Sequence, residues 1–222
     1  MSSNATACSR WRLYVIVDRA AAGSRDLADL AAAAIRGGAD AIQLRDKMAT
    51  GPDLLREAGR LLRVTRAAGV PLIINDRPDI ARAVGADGAH LGQDDMELAA
   101  ARTLVGRGMI LGKSTHSLEQ ALAAEAEGAD YIACGPMFAT PTKPDYEQVG
   151  LDVIGRVQAR VTVPVVCIGG IDAHTLPRAR AAGAERVAVV RAVCAAPDPD
   201  AATRTLKRLL AQPARAIAVP PL

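Results

Sequence analysis

A three-residue signature, glycine then alanine then an acid, recurs at Gly38-Ala39-Asp40, Gly85-Ala86-Asp87, Gly128-Ala129-Asp130 and Gly183-Ala184-Glu185, each time just before an apolar run. Glycine accepts the left-handed backbone that closes a helix, and the run after it is short enough for a buried strand. Each copy therefore reads as a helix end feeding a strand. The copies lie roughly 50 residues apart, too far for one strand and helix at ordinary loop lengths and right for two. The intervening strands appear midway, at Leu72-IIN, Met109-ILG and Val165-VCIGG. With the first run, Leu13-YVIVD, the chain carries eight strands: YVIVD, AIQLRD, LIIND, GAHLG, MILGKS, YIACGP, VVCIGG and RVAVV. Stretches with helical periodicity separate them, as at 52–68 and 118–126.

Eight strand-helix units predict an α/β protein made of a single (βα)8 barrel. A doubly wound open sheet is the structural alternative, but it has no need of eight such regular units. The expected organisation is an N-terminal extension over 1–12, the barrel over 13–212, and a loosely attached tail over 213–222. One connection is irregular. After YIACGP the chain runs through FATPTKPDYEQVG, with Pro141 and Pro144, before the next helix near Leu151, and loops of that length in compact domains commonly carry function.

Composition removes several classes of function. The 222 residues are half hydrophobic, enough for a sizeable core, and 27 basic against 24 acidic residues leave a net charge of only +3. That balance, with few aromatic side chains on which bases could stack, argues against nucleic acid as a partner. Residues 1–10 lack the apolar core of a signal peptide, and no apolar run reaches the ~18–20 residues of a membrane span. A cytoplasmic protein without membrane association is expected. Cys8, Cys134, Cys167 and Cys194 form no CxxC pair, so reduced thiols are expected rather than a zinc ribbon or a disulfide framework.

In a (βα)8 barrel the catalytic groups stand where strands end and βα loops begin. The second strand ends in Gln43-Leu44-Arg45-Asp46-Lys47, and alternation places Gln43, Arg45 and Lys47 on one face with Ile42 and Leu44 turned toward the helices. Two cations and an amide at the barrel mouth suit an anion better than an exposed salt-bridged strand end. The third strand ends in Asn75-Asp76, and Gln93-Asp94-Asp95 follows the fourth. Parallel neighbours lie ~4.8 Å apart, so Asp76 and one of the later aspartates can converge on one cation. Magnesium suits such a pair, because it takes one or two carboxylates and fills its octahedron with water and substrate phosphate oxygens. The alternative is that Asp94 or Asp95 merely caps a helix starting near Met96. The last two strands end in Gly169-Gly170 and Val190-Arg191, where barrels frequently hold a phosphate on backbone N–H groups. Two anion sites, one metal-assisted and one metal-free, imply two small phosphorylated substrates.

These residues resemble a known family. QLRDK at 43–47, IIND at 73–76, HLGQDD at 90–95, Ser114 with His116, GPMFATPTK at 135–143 and IGGI at 168–171 are similar, in order and spacing, to the motifs of the thiamine-phosphate synthases. The resemblance spans about 13–193. It implies a transferase of thiamine biosynthesis that joins 4-amino-2-methyl-5-(diphosphooxymethyl)pyrimidine to 4-methyl-5-(2-phosphooxyethyl)thiazole and releases pyrophosphate. By the same resemblance, Gln43, Arg45, Lys47, Asn75, Ser114 and Lys143 would hold the pyrimidine diphosphate, with Arg45, Ser114 and Lys143 acting in catalysis. Asp76 and Asp95 would ligate one Mg2+ per active site. Thr140, Thr142, Gly170, Val190 and Arg191 would hold the thiazole phosphate, and the long loop would close over both substrates. The family reaction is dissociative: pyrophosphate leaves first and the thiazole nitrogen captures a pyrimidine-stabilised carbocation. Many relatives carry a small Ser where this chain has Arg191, so the contact there is either the backbone N–H or the guanidinium itself.

Two other readings compete. A thiazole tautomerase of the same fold relies on a histidine matching His116, but such enzymes lack the paired aspartates and the TxTK loop that Asp76, Asp95, Thr142 and Lys143 supply here. A non-catalytic barrel that senses phosphorylated intermediates would have lost its metal ligands. Whether the chain forms a homo-oligomer is open at this level.

Overall fold

The structure is a computed structural model, and it describes residues 2–140 and 148–213. Eight parallel strands close in sequence order: β1 (Leu13–Asp18), β2 (Ala41–Arg45), β3 (Leu72–Asn75), β4 (Gly88–Leu91), β5 (Ile110–Thr115), β6 (Tyr131–Cys134), β7 (Val165–Cys167) and β8 (Val187–Val189), with β8 pairing back onto β1. The helices run around the outside, except the first, which packs against the amino-terminal end of the barrel. They include α1 (Ser3–Cys8), α2 (Arg19–Ala22), α3 (Leu27–Arg36), α4 (Gly51–Ala68), α5 (Pro78–Val84), α6 (Leu98–Val105), α7 (Leu118–Ala126), α8 (Asp152–Gln158), α9 (Leu176–Ala181), α10 (Arg191–Cys194) and α11 (Pro199–Ala211). This is the expected single (βα)8 barrel, and among the described residues no helix is long and apolar enough to cross a membrane.

The repeated signature does two jobs. Gly38, Gly85, Gly128 and Gly183 all have positive φ, as a helix-to-strand turn requires. The acid that follows reaches sideways: Asp40 accepts from the backbone N–H of Leu13 at 2.9 Å, Asp87 from Leu72 at 2.8 Å and Asp130 from Leu111 at 3.0 Å. Each aspartate thus ties the entrance of an even-numbered strand to the odd-numbered strand before it. Glu185, one methylene longer, pairs with Arg186 instead.

Alternation along the strands separates two cores. Leu13, Val15, Val17, Ile42, Leu44, Leu72 and Ile74 face the helices, while Tyr14, Ile16, Ala41, Ile73, Ile110, Tyr131, Val166 and Ala188 fill the barrel. Cys8 and Trp11 join the inner cluster, and Trp11 packs its ring 5.5 Å from Tyr14 and 5.3 Å from Tyr131. Segment 1–12 is stitched on further by Asn4, which donates to the Met109 carbonyl at 3.1 Å, and by Ser2, which donates to Asp130 at 2.7 Å. All four cysteines are buried free thiols; burial raises those of Cys134 and Cys194 to about 11. Of the expected tail, 214–222 lies outside the described residues.

Candidate active site

The carboxyl ends of the strands surround a cavity of about 700 Å³, within the range of small-molecule sites. Gln43, Arg45, Lys47, Asn75, Asp76, Asp95, Ser114, His116, Thr140, Gly170, Val190 and Arg191 all line it. Thr142 and Lys143 lie outside the described residues.

On the β2 side the groups are individually anchored. Gln43 is buried and donates its Nε2 to the Tyr14 hydroxyl at 2.7 Å. Arg45 pairs with the buried carboxylate of Asp18, which also accepts from the Ala21 N–H at 2.8 Å and so caps α2. One side of the guanidinium is therefore fixed, leaving the remaining donors for a ligand anion.

The two aspartates converge as the strand spacing suggested. Asp76 follows the last residue of β3 with φ +61°, a left-handed backbone that costs a non-glycine residue on the order of 1–2 kcal/mol. Its N–H donates to the His90 carbonyl at 2.8 Å, which holds the bend. The Asp76 and Asp95 carboxyls come within hydrogen-bonding reach of one another. Burial and the neighbouring Asp95 push the Asp76 carboxyl above the usual range, against the pull of Lys47. Burial also opposes ionisation of Asp95, but the bond to Asp76, the Gly92 N–H at 2.6 Å and the charges of Lys47 and Lys113 outweigh it and hold Asp95 low. Asp95 is not a helix cap: α6 starts after Glu97, and no side chain caps it. Two carboxyls crowded together, with no third acid, His or Cys clustered beside them among the described residues, fit a cation that draws its other ligands from water and substrate.

Across the mouth, Gly169 and Gly170 turn with φ +98° and +62°. A Cβ at Gly169 would sit 2.4 Å from Pro136, and one at Gly170 would sit 2.6 Å from the Ala139 carbonyl, so both glycines are also required by the segment packed on them. Thr175 pins the turn by donating to the Gly170 carbonyl at 2.8 Å. Val190 and Arg191 open α10 beside it. His116 donates its Nδ1–H to the Gly135 carbonyl at 2.5 Å, while its backbone N–H is bonded by Gln120 at 2.7 Å, so the imidazole stands in the wall on two supports.

Sequence reasoning passed over Asp18, Tyr14, Tyr131 and His90. His90 had a readable signal, since it alternates with Gly88 on β4 and is the register partner of Asn75. The tyrosines had none, because a tyrosine in an apolar strand reads as core until its hydroxyl partners are known.

The family model described as thiamine monophosphate synthase matches residues 13–193. A thiamine-phosphate synthase of Chloroflexus aurantiacus is 48% identical over 201 residues, covering 90% of this chain and 93% of that protein. One from Methanoregula boonei is 47% identical over 200 residues, covering 89% and 92%. Among solved structures, a thiamine phosphate pyrophosphorylase from Pyrococcus furiosus superposes with a TM-score of 0.84 at 35% identity, covering 91% of this chain and 96% of that one. A 3-hexulose-6-phosphate synthase, at 21% identity and a TM-score of 0.64, shares the fold alone.

Proposed function

Because the chain belongs to the thiamine monophosphate synthase family, and so to a family of transferases that form thiamine phosphate, we propose how its cavity divides that work between two phosphorylated substrates. Gln43, Asn75 and Ser114 hold the ring of 4-amino-2-methyl-5-(diphosphooxymethyl)pyrimidine, and Arg45, Lys47 and Lys143 hold its diphosphate. Thr140, Thr142, Gly170, Val190 and Arg191 hold the phosphate of 4-methyl-5-(2-phosphooxyethyl)thiazole. The observation that carries the division is the placement of the Asp76–Asp95 pair beside Lys47 on one side of the cavity, and of the Gly169-Gly170 turn with Arg191 on the other.

Asp76 and Asp95 would hold one Mg2+, which when bound neutralises charge on the diphosphate. The residues of the chain do the rest. Arg45, braced by Asp18, and Lys47 receive the negative charge that builds on the leaving oxygen as the carbon–oxygen bond at the pyrimidine methylene breaks. The bonding electrons leave with pyrophosphate, and the thiazole nitrogen, held in line by its anchored phosphate, supplies the pair for the new carbon–nitrogen bond. No strong base is needed, which suits a wall whose histidine, His116, is held by Gly135 and Gln120. The catalytic unit is the barrel over 13–212 with 1–12 as its N-terminal extension, working in the cytoplasm.

Purified protein incubated with both substrates and Mg2+ should release thiamine phosphate and pyrophosphate in equal amounts. Folded protein that forms neither would overturn the proposal. Lys143→Ala should lower kcat and weaken capture of the diphosphate, leaving the KM for thiazole phosphate near wild type.

A further inference from the structure

At and beneath the cavity floor, five polar side chains from five strands form one unbroken hydrogen-bonded line. Gln43 Nε2 lies 2.7 Å from the Tyr14 hydroxyl, which lies 3.1 Å from the Tyr131 hydroxyl; that oxygen is 2.9 Å from His90 Nδ1, and His90 Nε2 is 2.9 Å from Ser114 Oγ. The two end groups and His90 line the cavity, whereas both tyrosines are buried beneath it. The chain reserves room for this line: a Cβ at Gly112 would fall 2.2 Å from the Tyr131 ring. Burial holds both phenols well above their ordinary pKa, so each keeps its single hydrogen.

One hydrogen per phenol gives the line a direction. Tyr14 accepts from Gln43, so its own hydrogen has Tyr131 as its acceptor; a phenol accepting on both sides would strand a buried donor. Tyr131 then donates to His90 Nδ1, which leaves the ring hydrogen on Nε2, pointing at Ser114 Oγ. The Ser114 hydrogen is thereby directed at the cavity, while the Gln43 Oε1 is left as an acceptor. If the Gln43 amide were flipped, every bond in the line would reverse: Ser114 would donate to His90 Nε2 and turn a lone pair, not a hydrogen, toward the cavity.

We infer that Tyr14, Tyr131 and His90 are positioning residues that lock the hydrogen-bonding senses of Gln43 and Ser114 to each other, so that the cavity reads two points of the pyrimidine edge as one pattern. This deepens the assignment of the pyrimidine to this side of the cavity and rests on it. A 4-aminopyrimidine offers an amino donor to Gln43 Oε1 and a ring-nitrogen acceptor to Ser114, matching the inferred direction. A 4-oxo analogue, with acceptor and donor exchanged at C4 and N3, would need Gln43 reversed. Ser114 could accept from that N3–H only if all four bonds of the line reversed together and the His90 ring hydrogen moved from Nε2 to Nδ1. Short of that concerted reversal the coupled ends leave the oxo analogue wrong in two places at once, since neither end can turn alone, and a site that leaves buried polar groups unpaired rejects strongly.

The test compares wild type with Tyr131→Phe and Tyr14→Phe, each of which cuts the line without removing either end. The ratio of kcat/KM for the amino diphosphate over its 4-oxo analogue should fall by about tenfold or more in both variants, with the KM for thiazole phosphate little changed. Equal losses toward both analogues, with the ratio kept, would mean a merely structural role and would overturn the inference. Nitrogen-15 spectra of His90 in the wild type, without substrates, give a readout free of activity. A neutral Nε2–H ring is expected; an Nδ1–H ring or a mixture would refute the stated direction. This spectrum decides the matter if both variants fail to fold, and it stands even if wild-type protein makes no thiamine phosphate, a result that would count against the function and not the relay.

Discussion

Lys47 places its ammonium 2.9 Å from Asp76 Oδ2, so the lysine expected to grip a diphosphate rests on the aspartate expected to grip a metal. The lysine is about half exposed and Asp76 largely enclosed, so the pair is loosely held from one side only. Such an arrangement suits a lysine that can shift to a phosphate oxygen when a divalent cation takes over the carboxyls.

That relationship sets the first expectation. Asp76→Asn and Asp95→Asn each remove a ligand charge at nearly constant size, so activity should fall at low magnesium and recover in part at high magnesium. KM for thiazole phosphate should stay near wild type. Magnesium titrations of the rate check this, and wild-type rates for both variants at limiting magnesium would show that the metal site is misplaced.

The raised carboxyl of Asp76, which burial and Asp95 hold above its ordinary 3.8, makes its own contribution to the pH dependence of metal-free stability, with Asp95, held low, acting in the opposite sense. The folded state then binds the Asp76 proton more tightly than the unfolded chain. Ionised Asp76 costs stability above its folded-state pKa, and the cost vanishes below 3.8, where both states are protonated. Asp76→Asn should therefore raise Tm in chelator at neutral pH, by roughly 2–4 °C per kcal/mol recovered. The gain should shrink as the pH falls toward that of the protonated pair. Added Mg2+ should raise the Tm of wild type more than that of the variant.

Asp18 gives a prediction about a residue that does not line the cavity. In Asp18→Asn the side chain can still cap α2 at Ala21, but the charge that braces Arg45 is gone. The KM for the pyrimidine diphosphate should rise by about tenfold with a smaller change in kcat, since a hydrogen bond to a charged group contributes about 1.5–3 kcal/mol. Steady-state kinetics with each substrate varied in turn would show it, and an unchanged diphosphate KM would contradict the bracing role.

His116 distinguishes coupling from proton transfer. With its imidazole bonded to the Gly135 carbonyl it serves as wall, so His116→Gln should keep most of the thiamine phosphate synthesis. A coupling rate reduced by more than about a hundredfold would place His116 among acid–base groups and leave the mechanism incomplete.

Much of this protein was legible from its sequence, for a physical reason. Strand and helix periodicity are local, and the spaced glycines at 38, 85, 128 and 183 punctuate them, so eight units and their closure into a barrel could be read directly. Alternation within one strand put Gln43 and Arg45 on the inner face, and the spacing of adjacent strands brought Asp76 toward Asp95. Other relationships depend on strands far apart in the sequence and on the direction in which individual side chains turn. Nothing near Asp18 says that it braces Arg45, and nothing near Gly112 says that its missing Cβ makes room for Tyr131. The line from Gln43 to Ser114 crosses five strands, so it exists only once the barrel has closed and brought their inner faces together around one axis.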